Sequence, residues 1–230
     1  MLVSLYRQCK QGNSIRLRLE RGEALSVGSM TKEEFFQRIE SSTPQTLARE
    51  FLYTDTVRVF EDRSEYDKFR SRIGELISHV EFSAIVGSGN WTYSLNPEKN
   101  FREFGEHSDI DVAIISPVRF HAFWEKMREN HRRYFYGLGF DDRKRLRRNS
   151  ENVYAGFVSP AWIPRQTPPE RLEQKKLLNT LSNAAVGYLA VKTLFFKNPE
   201  EAVDYYSRGF ALARRSIHEI RRVVANNRLD

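Results

Sequence analysis

Two short stretches of this chain hold side chains suited to phosphate chemistry. One reads VGSGN over 86–90, the other SDIDVAII over 108–115, with twenty residues between Ser88 and Asp109. The apolar runs FSAIVG and DIDVAII each have the length and content of a buried strand. Residues i and i+2 of a strand point to one face, so Asp109 and Asp111 project together. Two carboxylates roughly 5 Å apart repel by about 3 kcal/mol at an effective dielectric near 20, which a cation between them offsets. Hard divalent ions such as Mg²⁺ take such oxygen ligands and share them with substrate phosphates. A pair of such ions stabilises the attacking and leaving oxygens of an in-line phosphoryl displacement. Gly87 lets a phosphate approach the backbone closely. Ser88 adds a hydroxyl donor, and successive backbone N–H groups can cup a phosphate. An edge strand with exposed aspartates is the plainer reading of Asp-x-Asp alone; the Gly-Ser strand upstream turns the balance toward a site.

The elements around these residues follow from patterning. Thr31 can cap a helix whose first turn holds Glu33 and Glu34, and helical spacing continues from about 32 to 50. A second helix is expected over Ser64–His79, with Tyr66, Phe69, Ile73, Leu76 and Ile77 on one face. The loop after Gly87 carries Trp91, Tyr93, Phe101 and Phe104, which anchor it on the core or stack on a base; anchoring is favoured. Pro117 stops the second strand, FHAFWEKMRENHRRYF reads as a helix, and NVYAGFVS as a third strand. Residues 159–169 hold four prolines and read as a rigid linker. Beyond it, Leu177, Leu181, Ala184, Tyr188, Val191 and Phe195 recur at helical spacing up to Phe196, and a second long helix carries Ala202, Tyr206, Phe210, Ala213 and Ile217. Residues 1–29 read as a short strand, a disordered leader or an upstream extension.

Composition narrows the classes. The 230 residues are 40% hydrophobic, enough for a core, and hold one cysteine, Cys9, which excludes an internal disulfide and a Cys-based zinc cluster. No run approaches a membrane span and the N-terminus lacks a signal-peptide core, so a cytoplasmic protein without membrane contact is expected. The net charge is +7, and the stretch 131–148 alone carries +5 through Arg132, Arg133, Arg143, Lys144, Arg145, Arg147 and Arg148. Such a patch attracts the phosphates of a nucleotide or an RNA backbone, or is a solvated loop. His107, Lys176, Arg214 and His218 read as incidental or surface charges.

The Gly-Ser strand followed by Asp-x-Asp heading another strand resembles the DNA polymerase beta-like nucleotidyltransferase superfamily. Val86, Gly87, Ser88, Ser108, Asp109, Ile110, Asp111 and Val112 carry the resemblance, which covers roughly residues 62–160. It implies an α+β fold: a small mixed β-sheet nucleotidyltransferase core over 62–160 flanked by helices, an N-terminal extension and helix over 1–61, and a C-terminal helical lobe over 161–230. It implies binding of a nucleoside triphosphate with two Mg²⁺ ions and transfer of a nucleotidyl group. Gly87 and Ser88 would hold the triphosphate, and Asp109 and Asp111 would bind the metals as catalytic residues. Lys175 would reach the triphosphate from the first C-terminal helix, unless it merely lines a solvated face. The acceptor favoured by the basic stretch is RNA, including a tRNA end, ahead of a protein hydroxyl or a second nucleotide. Relatives with such acceptors act in toxin–antitoxin and antiphage systems. Active members bring a third carboxylate from a later strand; NVYAGFVS contains none, and Glu151, Asp141 and Asp142 lie outside it. The alternative is a catalytically inactive nucleotide- or RNA-binding protein of the same fold that regulates a protein partner through its C-terminal helices.

Overall fold

Helix α1 (Lys32–Ser41) begins at a capping box: the Thr31 hydroxyl accepts from the Glu34 N–H while the Glu34 carboxylate accepts from the Thr31 N–H. The helical pattern expected to run to residue 50 breaks at Ser42 and Thr43, because Pro44 cannot donate into a continuing helix and instead starts α2 (Pro44–Leu52). Helix α3 (Arg63–Leu76), capped by Asp62, matches the expected second helix. These belong to a computed structural model that describes residues 30–163 and 168–226. The leader expected over 1–29 and part of the proline-rich linker lie outside the described residues.

Four strands follow: β1 (Phe82–Val86), β2 (Ile110–Ile115), β3 (Phe157–Val158) and β4 (Val191–Phe196). They form one mixed sheet in the order β1-β2-β4-β3. β1 and β2 are antiparallel, β2 and β4 parallel, and β3 and β4 antiparallel. The chain is therefore α+β. Between the strands lie α4 (Ser88–Trp91), a single turn, α5 (Pro117–Tyr134), α6 (Phe140–Tyr154) and α7 (Pro168–Leu181), and α8 (Pro199–Asn226) closes the fold.

Two expectations are corrected. The helix expected from Pro169 to Phe196 stops at Leu181; Gly187 and Tyr188 take left-handed φ values of 62° and 59°, which no helix tolerates, and the chain continues as β4. Residues beyond 161 thus supply a central strand as well as helices. The third strand expected over NVYAGFVS shrinks to Phe157–Val158, because α6 extends to Tyr154. Most of the basic stretch 132–148 is accordingly helical.

The sheet has two covered faces. Ile85, Ile110, Val112, Ile114, Val191, Phe195 and Val158 pack with α3, α5, α6 and α7. Ala84, Val86, Ala113, Ile115 and Phe196 pack with α1, α2 and α8. On the second face, Phe210 of α8 stacks on Phe51 of α2 at 5.6 Å and meets Trp91 at 5.2 Å. Trp91, Tyr93, Phe101 and Phe104 are all buried, so the aromatics of the long β1–β2 connection anchor it on the core. Arg214, expected as a surface charge, is half-buried: its guanidinium donates to the carbonyls of Ile39 and Ser42 and closes the C-terminal end of α1.

Candidate functional site

The antiparallel pairing of β1 with β2 brings the two motifs together across twenty intervening residues. Val86, the last residue of β1, is the register partner of Asp111, the second residue of β2. Gly87 therefore sits beside the Asp111 side chain. Its φ of +71° favours glycine, and a Cβ built there would lie 2.9 Å from Asp111 Oδ2. The turn is held from below by buried Asn90, whose amide donates to the carbonyls of Ile85 (2.8 Å) and Phe51 (2.7 Å). Ser88, half-buried, follows Gly87 at the start of α4. Ser108 accepts a hydrogen bond from the Gly105 N–H at 3.0 Å and so sets the turn into Asp109.

Asp109 and Asp111 flank Ile110, whose side chain is fully buried on the opposite face, so both carboxylates belong to the α8 side of the sheet. Parallel pairing places Lys192 of β4 beside Asp111, and its ammonium pairs with the Asp109 carboxylate. Desolvation pushes the Asp111 carboxyl up to about 6; Lys192 pulls it down, Asp109 pushes it up, and Lys99 pulls it down. Solvent nevertheless reaches the Asp111 side chain. Protein crowds the carboxylate, and its side chain stays open to solvent.

Helix α8 contributes Tyr205 and Tyr206. Both phenols are held above their ordinary range by burial first, with the Asp111 charge adding. Arg148 acts on Tyr205 in the opposite direction, and the Tyr205 ring packs on Phe157 at 4.4 Å and on Phe196 at 5.8 Å. The Tyr206 hydroxyl is buried and has no hydrogen-bond partner among the described residues.

Of the residues expected at the site, Gly87, Ser88, Asp109 and Asp111 come together. Lys175 is exposed on α7, which packs on the other face of the sheet, away from the Asp111 side. His107 is exposed beside Glu106, and Glu151, Asp141 and Asp142 lie on α6. Among the described residues, no group of three or more His, Cys, Asp or Glu side chains gathers around a common point. The cavities of about 370 Å³ near Phe123 and Thr193 and about 540 Å³ near Trp124 and Glu201 do not include the aspartates, so concavity alone is a poor guide to this site. Sequence reasoning missed Lys192, because its strand was taken for helix, and Asn90, because an amide in a loop carries no motif.

The basic residues occupy the end of α5 and most of α6. Arg132, Lys144, Arg145, Arg147 and Arg148 are exposed, together with Tyr136, Phe140 and Tyr154. Arg133 pairs with Glu129 at 2.9 Å, and Arg147 lies over the Phe135 ring. No helix among the described residues is long and apolar enough to cross a membrane. Compared with known proteins, the chain matches no family model, no curated protein and no solved structure.

Proposed function

We propose that this chain is a nucleotidyltransferase that binds a nucleoside triphosphate between Gly87-Ser88 and the Asp109/Asp111 pair. The observation that carries this reading is the contact of Gly87 with Asp111: a glycine turn that a Cβ would fill stands directly over the second of two paired carboxylates. That is the arrangement which the resemblance to polymerase beta-like nucleotidyltransferases requires of its phosphate and metal residues.

In this reading Gly87 lets the triphosphate lie against the backbone, and the Ser88 hydroxyl donates to a phosphate oxygen. Asp109 and Asp111 would hold Mg²⁺, which when bound neutralises phosphate charge in the transition state. Lys192 and Lys99 add positive charge on the approach. An acceptor hydroxyl oxygen forms a bond to the α-phosphorus and loses its proton to solvent, the bond to the β-phosphate oxygen breaks, and pyrophosphate leaves with the electron pair. Exposed cations interleaved with exposed rings suit single-stranded RNA, whose phosphates meet the former and whose bases stack on the latter. This basic, ring-bearing surface makes an RNA end the favoured acceptor.

A second reading has its own observation. The position beside Asp111 on the neighbouring strand holds Lys192, where a carboxylate would be needed to take the acceptor's proton. This favours a protein that binds the nucleotide and transfers nothing. The chain is incubated with each α-³²P-labelled triphosphate, Mg²⁺ and total RNA, beside an Asp109→Ala/Asp111→Ala variant. Label appears on RNA with the wild type and is lost with the variant if the first reading holds. Binding of the triphosphate without transfer supports the second, and neither binding nor transfer rejects both.

A further inference from the structure

Lys192 is the charged residue of the site for which the motif has no place. It is the second residue of β4, and parallel pairing puts it beside Asp111, the second residue of β2. Its ammonium pairs with Asp109 rather than pointing away into solvent. Two divalent ions side by side need several carboxylate oxygens, and among the described residues no group of three or more His, Cys, Asp or Glu gathers here. A single charge roughly 5 Å from a double charge, in water-like surroundings, weakens binding of the latter about tenfold. Beside the pair, Gly87 leaves room that a side chain would fill: a Cβ there would lie 2.9 Å from Asp111 Oδ2, and the Asp111 side chain is open to solvent.

We infer that Lys192 is the second cation of this site: the Asp109–Asp111 pair takes one divalent ion, and the Lys192 ammonium occupies the place of the other. The inference rests on the phosphate-and-metal reading of the site and gives it a distinct charge economy. One positive charge is built into the sheet and is present before any nucleotide arrives. Lys192 lies on the strand neighbouring the aspartates, so its position is set by the sheet rather than by a loop.

The test counts ions on the full chain with Mn²⁺ alone, at low ionic strength, by electron paramagnetic resonance. The wild type is expected to bind one Mn²⁺ at the pair, with the spectrum of an isolated ion. Lys192→Ala is expected to bind it about tenfold more tightly. Lys192→Glu places a third carboxylate beside Asp111 and is expected to gain a second ion with an exchange-coupled spectrum. Lys192 is largely exposed, with 63% of its side chain accessible, so neither variant opens the core; melting of all three proteins is compared with Mn²⁺ present, which offsets the carboxylate repulsion that Lys192 otherwise relieves. If Lys192→Glu does not fold, Lys192→Ala decides alone. Two coupled ions in the wild type, no ion in the wild type, or variants indistinguishable from it overturn the inference. Titration of the same samples with nucleoside triphosphates is read separately: a failure there with the Mn²⁺ pattern intact removes the nucleotide reading and leaves the one-ion site standing.

Discussion

The two faces of the sheet are built differently. Toward α3, α5, α6 and α7 the strands present branched aliphatic side chains, Ile85, Val112, Ile114 and Val191, that meet Tyr66, Phe69 and Phe120 from the helices. Toward α8 the register partners Ala84 and Ala113 are small, and the volume is supplied from outside the sheet by Trp91, Phe210 and Tyr206. The same face carries Asp111 and Lys192 at one end. The difference teaches where a site can be placed. Where the strands contribute Ala84 and Ala113, the cover comes from α8 and the turn after β1, and the starts of β2 and β4 carry Asp111 and Lys192 open to solvent.

The largest effect should come from the rings. Phe210→Ala removes a fully buried ring stacked on Phe51 and tilted against Trp91 and should cost about 3–5 kcal/mol, whereas Ile114→Val, which removes one methylene on the other face, should cost about 0.5–1.5 kcal/mol. Urea unfolding measures both, and a loss at Phe210 no larger than that at Ile114 would mean that this ring does not fill its face. Arg214→Ala strips the carbonyls of Ile39 and Ser42 of a charged donor and should cost about 1.5–3 kcal/mol by the same measurement. A loss near zero would mean that α1 does not depend on α8. Gly87→Ala should cost about 1–3 kcal/mol through its left-handed backbone and its contact with Asp111, and should abolish triphosphate binding. A variant as stable and as competent as the wild type would remove Gly87 from the site.

The smallest effect is pH-dependent. The folded chain holds the Asp111 proton up to about 6, above the ordinary value near 4 of an unfolded chain. The unfolded chain therefore ionises first. The stability that this group contributes is whole below the ordinary value and is lost as pH rises through about 6. Asp111→Asn cannot ionise, so without metal it should melt above the wild type at pH 8 and together with it near pH 4. A melting difference that does not change with pH would contradict this.

The aspartate pair and its glycine turn were legible because each is local: an apolar run ended by Gly87, and another opened by Asp109 and Asp111. Their proximity follows from one antiparallel pairing. The α+β class followed as well. β4 was not legible, because Ala184, Tyr188, Val191 and Phe195 fall at helical spacing while the strand over 191–196 rests on Val191, Thr193 and Phe195 facing one side. With β4 misread, Lys192 had no neighbour and its pairing with Asp109 had no sign in the sequence. Helix α6 was hidden by charge: of its 15 residues only Leu146 and Asn149 are buried. Arg214 looked like a surface cation because its partners are backbone carbonyls 172 and 175 residues away.

The account stands on the claim that the open end of the α8 face holds a nucleoside triphosphate. Calorimetric titration of the full chain with each triphosphate in Mg²⁺ tests it most directly, beside the Asp109→Asn/Asp111→Asn variant, which keeps the shape of both side chains. Saturable binding by the wild type and its loss in the variant is the expected result. Equal binding by both, or none by the wild type, would contradict the claim.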